Sequence, residues 1–409
     1  MGEMNLGLAH VATVSFLASR AAPSLQFFFA LGGGIALARS AARQGARAGY
    51  GTSLAAMLQT VAVMGPARIN APLTQAITAP MMGRLEARGA RAATEFAACL
   101  ALRLVHYAVL LAAFILVILG GLDEFTGSYE TLTGWLGIVP QGAAAALAVT
   151  AAGQALWAVF FSAVQVAAYR RALANWPAVT PLDEGLAAAA ADPVAIAGPE
   201  RGSGRFDPRA IVVAAFLATA LLLVSTSWLL LLGVTAWLVP AWLLSRPDHD
   251  AVPLGLLLAG LLAFAALSGG LLSGAGLELT LRRALRAVLL VAVATWMRAA
   301  AGPGGLRETF RRALHRLRAL PAVKEGAALM EGLDSGPRLI AAARAAAGRF
   351  SDVELKPAQL ADTVTAWVAA ESADYRAGAR APVTRLCLKA PDGLLVALTL
   401  LPVLTLVGA

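Results

Sequence analysis

Charged residues are scarce in this chain. Of its 409 residues only 14% are Asp, Glu, Lys or Arg, whereas 59% are hydrophobic. A soluble protein uses about a quarter of its residues as charged groups. The apolar residues also fall in long runs, and runs of ~18 or more predict membrane-spanning helices, because a helix satisfies its own backbone hydrogen bonds. The sequence therefore predicts an all-α polytopic membrane protein.

Residues that carry chemistry are also few. The two cysteines, Cys99 and Cys387, lie far apart and indicate neither a disulfide framework nor a thiolate metal site. The four histidines show no metal-ligand spacing, so we predict no metal. The sequence has no Gly-x-x-x-x-Gly-Lys-Ser/Thr loop, which excludes a P-loop ATPase. Zinc-hydrolase and serine-hydrolase motifs are missing as well, so we expect no enzyme activity and no cofactor bound by this chain.

Basic residues, in contrast, exceed acidic ones. The net charge is +9, and all but three of the 33 bases are arginine. Arginines of this kind hold the loops of a membrane protein in the cytoplasm. No basic stretch carries interleaved stacking aromatic side chains, so nucleic acid is not a predicted partner.

Six apolar segments make up the first part of the chain, and basic stretches at 39–47, 84–91 and 170–171 alternate with connections that carry fewer bases. This alternation predicts six spans with both ends in the cytoplasm. The third and fourth segments are short and could instead form one re-entrant hairpin. The segments cover 4–19, 22–38, 51–64, 71–83, 97–121 and 138–169. An acidic outer loop, Leu122–Thr133, separates the last two.

The chain then divides at a Pro- and Gly-rich stretch, 172–206, which predicts a cytoplasmic linker. We therefore predict a six-helix membrane domain over 1–171 and a second domain over 207–409. The second domain begins with a 36-residue apolar run, 210–245, that is too long for one span and should turn near 225–227. Further spans are predicted at 254–272 and around 285–296, with a last one over about 394–408. The total is about six plus five.

The charged stretch before the last span, about 303–390, predicts amphipathic cytoplasmic helices. Apolar residues recur at three and four positions from Leu306 to Leu317, with arginines on the other face, and Pro321 ends the pattern. More helical pattern follows at 322–333, 338–350 and 358–376. Such helices suit a partner protein or an anionic lipid surface.

Several short motifs occur in order along the second domain. Asp207-Pro208-Arg209 opens its first span, and Ala284-Leu285-Arg286 begins a span that ends at Ala294-Thr295-Trp296. Gly302-Pro303 and a helix closing with Leu317-Arg-Ala-Leu-Pro321 follow. In this order and spacing, 207–409 resembles the transmembrane T component of energy-coupling factor transporters, the vitamin and metal importers of prokaryotes.

The resemblance implies coupling helices that dock P-loop ATPases, which would supply ATP hydrolysis to the transporter. In the family, an arginine of a short Ala-Arg-small motif enters a groove on the ATPase. Ala343-Arg344-Ala345 matches the first motif, whereas Glu371–Tyr375 departs from the second because it lacks the arginine. The candidate docking residues are Arg344, Arg349, Arg376, Arg380, Arg311 and Arg312. For the last two, a solvated helix face or a lipid phosphate contact is an equal alternative.

The first domain is similar in topology alone to substrate-binding S components, which have six helices with both ends inside. The resemblance thus implies an S–T fusion, with separate S components as a further possible partner. A binding site needs a few polar groups facing a cavity near the outer surface. The candidate substrate-binding residues are Arg68, Asn70, Gln75, Tyr129 and Trp135. The alternatives are that Arg68 reaches lipid headgroups and that the two aromatic residues form an interfacial belt.

We therefore expect a subunit of an energy-coupling factor importer for a small micronutrient, in the bacterial inner membrane, with its N-terminus and coupling helices in the cytoplasm. An ion-gradient-driven secondary transporter is the first alternative, although the two halves show no internal repeat. A membrane-embedded enzyme acting on lipid is the second.

Overall fold

The protein is helical throughout the part that the structure describes. The computed structural model describes residues 3–66, 70–119, 121–134, 137, 140–177, 205–245, 252–272, 274, 276–334, 336–351, 359–375 and 386–403. Within these ranges it has fifteen α-helices and no β-strand, which confirms the all-α class.

The first seven helices precede the predicted linker. They are α1 (Glu3–Ala21), α2 (Gln26–Gln44), α3 (Ala46–Met64), α4 (Asn70–Ala87), α5 (Ala92–Ala113), α6 (Leu122–Gly134) and α7 (Ala143–Ala174). A π-helical turn, Phe114–Leu119, continues α5. The predicted outer loop is thus helical as α6. Most of the predicted linker, 178–204, lies outside the described residues.

Eight helices follow the linker. They are α8 (Pro208–Val224), α9 (Trp228–Ser245), α10 (Val252–Leu272), α11 (Leu277–Arg316), α12 (Pro321–Gly332), α13 (Gly336–Ser351), α14 (Leu360–Asp374) and α15 (Ala390–Thr399). The predicted turn near 225–227 is confirmed. The single helix α11 is broken at Gly302, whose φ of 66° is accessible mainly to glycine. The three helices predicted between 322 and 376 correspond to α12, α13 and α14.

Two compact units contain these helices, and each combines three stretches of chain. The first comprises Met1–Arg103, Val159–Gly202 and Arg307–Thr384; the second comprises Leu104–Ala158, Ser203–Leu306 and Arg385–Ala409. This division by contacts follows neither of the predicted domains. The two predicted domains, 1–171 and 207–409, are defined by membrane topology and by expected function rather than by contacts, and they remain predictions.

The first unit is built around α1 and α2, whose side chains are almost all buried. Helices α12, α13 and α14 pack against α1–α3. Helices α13 and α14 share one hydrophobic cluster with α1–α3, and α12 shares a second with α1 and α3. Within the described residues of this unit, exposed large apolar side chains are limited to a few positions. They are Phe27, Val159, Phe160, Leu317 and Leu320.

The second unit turns many large apolar side chains outward. Val224 is 76% exposed, Leu243 74% and Phe264 72%. Helices α8 and α15 pack against each other, and α6 packs against α10. Apolar surface of this extent indicates contact with lipid rather than water.

Among the described residues, four helices are long and apolar enough to cross a membrane. These candidate spans are Ala92–Leu116, Ala143–Ala174, Trp228–Ser245 and Leu277–Arg316. Helices α8, α10 and α15 are also apolar over 10 to 17 residues, which is shorter than these spans. Such helices indicate a membrane protein. Helices α1–α4 are not among these candidate spans. The predicted six-plus-five arrangement is therefore not confirmed.

Candidate functional site

Glycines bring the predicted coupling helices into close contact with the N-terminal helices of the first unit. A Cβ atom at Gly7 in α1 would lie 2.1 Å from the backbone oxygen of Ser372 in α14. A Cβ atom at Gly51 in α3 would lie 2.7 Å from Cβ of Glu325 in α12. The helices approach so closely at these crossings that only glycine, which has no side chain, fits there. The two crossings pack α14 against α1 and α12 against α3.

An aromatic cluster fills the core beside these crossings. Phe28 and Phe29 of α2 meet Phe350 of α13, with ring centroids 4.5 and 5.9 Å apart. Trp367 of α14 lies edge-on to Phe29 at 5.6 Å and to Phe350 at 5.8 Å. Aromatic pairs at these distances and tilts add to the stabilisation that burial provides. The cluster fixes α13 and α14 against α2.

Arg307 organises the turn between α12 and α13. Its guanidinium donates hydrogen bonds to the carbonyl oxygens of Met330 at 2.5 Å, Leu333 at 2.7 Å and Asp334 at 3.3 Å. These carbonyls lie at the C-terminal end of α12, where they lack partners within the helix and where a positive charge is favourable. The amide nitrogen of Gln59 in α3 donates to the Asp334 carbonyl at 3.2 Å. The turn is thus held from both α11 and α3.

A polar cluster surrounds the same turn. The ring of His10 in α1 stacks on Tyr375 at 4.1 Å, and the Tyr375 hydroxyl donates to the carbonyl oxygen of Gly332 at 2.9 Å. Nδ1 of His10 lies 3.7 Å from Oδ2 of Asp334, which is too long for a hydrogen bond. Burial raises the pKa of the Asp334 carboxyl and of the Tyr375 hydroxyl. The cluster joins α1 to the end of α14 and to the α12–α13 turn.

The outer face of α13 carries the candidate docking residue Arg344. Leu339, Ala343, Ala346 and Phe350 point into the core, whereas Arg344, Ala345 and Gly348 are exposed. Among the described residues, no hydrogen bond or ion pair engages the Arg344 side chain. A free guanidinium beside small residues on a supported helix can enter a groove on a partner.

The other described docking candidates have partners within the first unit. Arg349 lies 3.7 Å from Oε2 of Glu371, a carboxyl whose pKa is raised by burial. Arg311 and Arg312 both form ion pairs with the Glu308 carboxylate, with nitrogen–oxygen distances of 2.8 and 2.7 Å. Arg311 also forms an ion pair with Glu331. These charges are partly neutralised, so they are weaker docking candidates than Arg344. Arg376 and Arg380 lie outside the described residues.

Of the five candidate substrate-binding residues, the structure describes the side chains of Gln75 and Tyr129. Gln75 in α4 accepts a hydrogen bond from the buried Tyr169 of α7, in the first unit. Tyr129 in α6 is buried in the second unit and donates to the Pro140 carbonyl at 3.0 Å. Arg68 and Trp135 lie outside the described residues, as does the side chain of Asn70.

Buried polar groups elsewhere escaped the sequence analysis. Arg103 in α5 donates to Gln165 of α7, and Gln165 donates to the hydroxyl of Thr78 at 2.7 Å. In the second unit the buried Arg283 of α11 pairs with Glu124 of α6 at 3.1 Å. A lone arginine within an apolar run is the sequence signal for such groups. Their partners cannot be found from local pattern.

Comparison with known proteins identifies no relative: no family model, curated protein or solved structure matches this chain.

Proposed function

We propose that the chain is the coupling membrane subunit of an energy-coupling factor type importer, in which partner ATPases drive uptake of a small micronutrient such as a vitamin or metal ion. The exposed, unengaged Arg344 on α13 is the observation that carries the proposal. Docking of an ATPase needs a helix that transmits force, and the aromatic cluster packs Phe350 of α13 against Phe28 and Phe29 of α2. The chain itself would perform no catalysis and bind no nucleotide.

For topology, we propose that the second unit lies in the bacterial inner membrane and that the first unit faces the cytoplasm. The outward apolar side chains of the second unit and their scarcity in the first support this arrangement. The six-plus-five arrangement is the alternative, and α1–α3, at 19 residues each, approach the ~30 Å length of a span. Substrate capture by a fused N-terminal module depends on that alternative; otherwise separate S components supply it.

Co-purification from the native membrane tests the docking role. The tagged chain, gently solubilised, should retain one or two P-loop ATPases, identified by mass spectrometry and by ATP hydrolysis. Arg344→Glu should weaken their affinity by about 30-fold, since an arginine at the centre of an interface contributes roughly 2 kcal/mol or more. Arg88→Glu, at an exposed arginine of the α4–α5 turn, is the matched control. Recovery of the chain without any ATPase, while a control transporter keeps its own, contradicts the proposal.

An ion-gradient-driven transporter is the second candidate. The observation in its favour is the set of buried arginines in candidate spans, Arg103 in α5 and Arg283, Arg286 and Arg298 in α11. Ionisable groups within a membrane are costly and commonly functional. Uptake into vesicles that continues without ATP and stops when the ion gradient collapses would favour this candidate over the first.

A further inference from the structure

An apolar groove runs along one face of α9 in the second unit. Its cavity has a volume of about 470 Å³, within the range of about 300–1,000 Å³ found for small-molecule sites. The α9 residues that line it are Gly233, Ala236, Trp237, Pro240, Ala241 and Leu244. Their spacing follows one helix face over twelve residues, a length of about 16 Å. The small residues among them, Gly233, Ala236 and Ala241, leave the space that forms the cavity.

Helix α15 forms the opposite wall. Leu394, Leu395 and Leu398 face the cavity, and the 3-10 turn Leu401–Val403 closes one end. At that end a Cβ atom on Gly233 would lie 3.2 Å from Pro402, so the two walls meet. Because α9 is long and apolar enough to cross a membrane, lipid is the expected neighbour of the open side of the groove.

The other end of the groove is polar. Arg205 and Phe206 line it there, just before the start of α8. The buried carboxylate of Asp392 accepts hydrogen bonds from the backbone nitrogens of Asp207 at 2.7 Å and Lys389 at 2.6 Å. One carboxylate thus holds the chain next to Arg205 close to the start of α15.

Two basic residues occur at this end. Arg205 lines the cavity and Lys389 directly precedes α15; both are exposed, and among the described residues neither side chain forms an ion pair. Nearby Arg209, in contrast, is bound by Asp207 through two contacts of 3.0 Å. An apolar groove beside a candidate membrane span, with Arg205 at its polar end and Lys389 on the adjoining chain, matches the shape and charge of an anionic phospholipid.

We propose that this groove binds one anionic phospholipid, with an acyl chain along α9 and α15 and the phosphate between Arg205 and Lys389. The acyl chain fills space that would otherwise remain empty between the two walls. The two charges select an anionic headgroup over a zwitterionic one. This site is independent of the coupling role, because none of its residues belongs to the first unit.

Native mass spectrometry of the full chain, stripped of lipid in detergent, tests the site. Phosphatidylglycerol and phosphatidylcholine with the same acyl chains are added separately. One phosphatidylglycerol should be retained per chain in preference to phosphatidylcholine. Arg205→Gln and Lys389→Gln should each weaken its retention by about fivefold, the effect of one basic residue near an anionic lipid surface. Arg88→Gln, in the first unit, should have no effect.

Ala236→Phe fills the groove and should abolish retention of phosphatidylglycerol. Val239→Phe is its matched control, because Val239 is exposed on α9 but does not line the cavity. Thermal melting of each variant in detergent shows whether it is folded. Equal retention of the two lipids overturns the proposal, as does retention that none of the three groove variants changes. A dimer that Ala236→Phe dissociates overturns it too, since a second copy would then occupy the groove.

Discussion

The two units use similar residues in opposite ways. The first unit buries its leucines, alanines and aromatic rings around α1 and α2, and of its described arginines only Arg103 is buried. The second unit exposes leucine, valine and phenylalanine and buries Arg283 and Arg286. Lipid reverses the cost of exposing an apolar group and raises the cost of exposing a charge. Hydrophobic composition alone therefore does not identify which helices contact the membrane.

The largest expected effect comes from placing a charge on each surface. Val109→Arg puts a charge on an exposed position of the candidate span that begins at Ala92, where it should cost about 2.5–3.5 kcal/mol. Leu317→Arg, at an exposed position of the first unit, should cost almost nothing. The yield of folded, membrane-inserted protein measures both. Equal losses for the two variants would contradict the assignment of membrane and water to the two units.

A smaller effect is expected at the glycines. Gly7→Ala forces a methyl group against the Ser372 carbonyl oxygen and should destabilise the first unit by about 1–3 kcal/mol. Gly153→Ala, on α7 in the second unit, places its methyl group in open space and should be neutral or slightly stabilising. Denaturant unfolding of the purified chain, monitored by proteolysis of the first unit, distinguishes them. A stable Gly7→Ala variant would show that α1 and α14 can separate without cost.

The smallest effect concerns pH. Burial raises the pKa of the Asp334 carboxyl, so the folded state holds this proton more tightly than the unfolded state. Stability should therefore fall as pH rises from the unfolded pKa through the folded one. Asp334→Asn should remove this dependence and raise the melting temperature at neutral pH, but not at a pH below the unfolded pKa. Melting curves of both proteins across the acidic range, with Asp374→Asn as an exposed control, provide the measurement. A wild-type curve that rises with pH while that of Asp334→Asn is flat reverses the expected sign.

Local signals in the sequence located many helices. Two signals mark observed helix ends: Pro321 begins α12, and the serines near 225–227 separate α8 from α9. The Gly302-Pro303 pair marks the break within α11. Each acts on the backbone locally. The exposed position of Arg344 also follows from the helical pattern of 338–350. Such features need no knowledge of distant parts of the chain.

The rest of the fold depends on distant partners. Helices α1–α4 have apolar runs that look like membrane spans, but in the structure protein covers much of that apolar surface; periodicity does not separate these cases. No local signal places His10 against Tyr375, since more than 360 positions separate them along the chain. Nor does any local signal place Arg307 and Gln59 at the α12–α13 turn, where both bind the Asp334 carbonyl oxygen.

The burial of α1 beneath α13 and α14 has a consequence for biosynthesis. Roughly 300 residues separate the end of α1 at Ala21 from the start of α13 at Gly336. At a synthesis rate of about 5–20 residues per second, α1 leaves the ribosome some 15–60 s before the helices that cover it. During that interval its apolar face needs a chaperone or the membrane surface. Ribosome-bound chains halted before residue 336 should therefore associate with chaperones more strongly than the completed protein does.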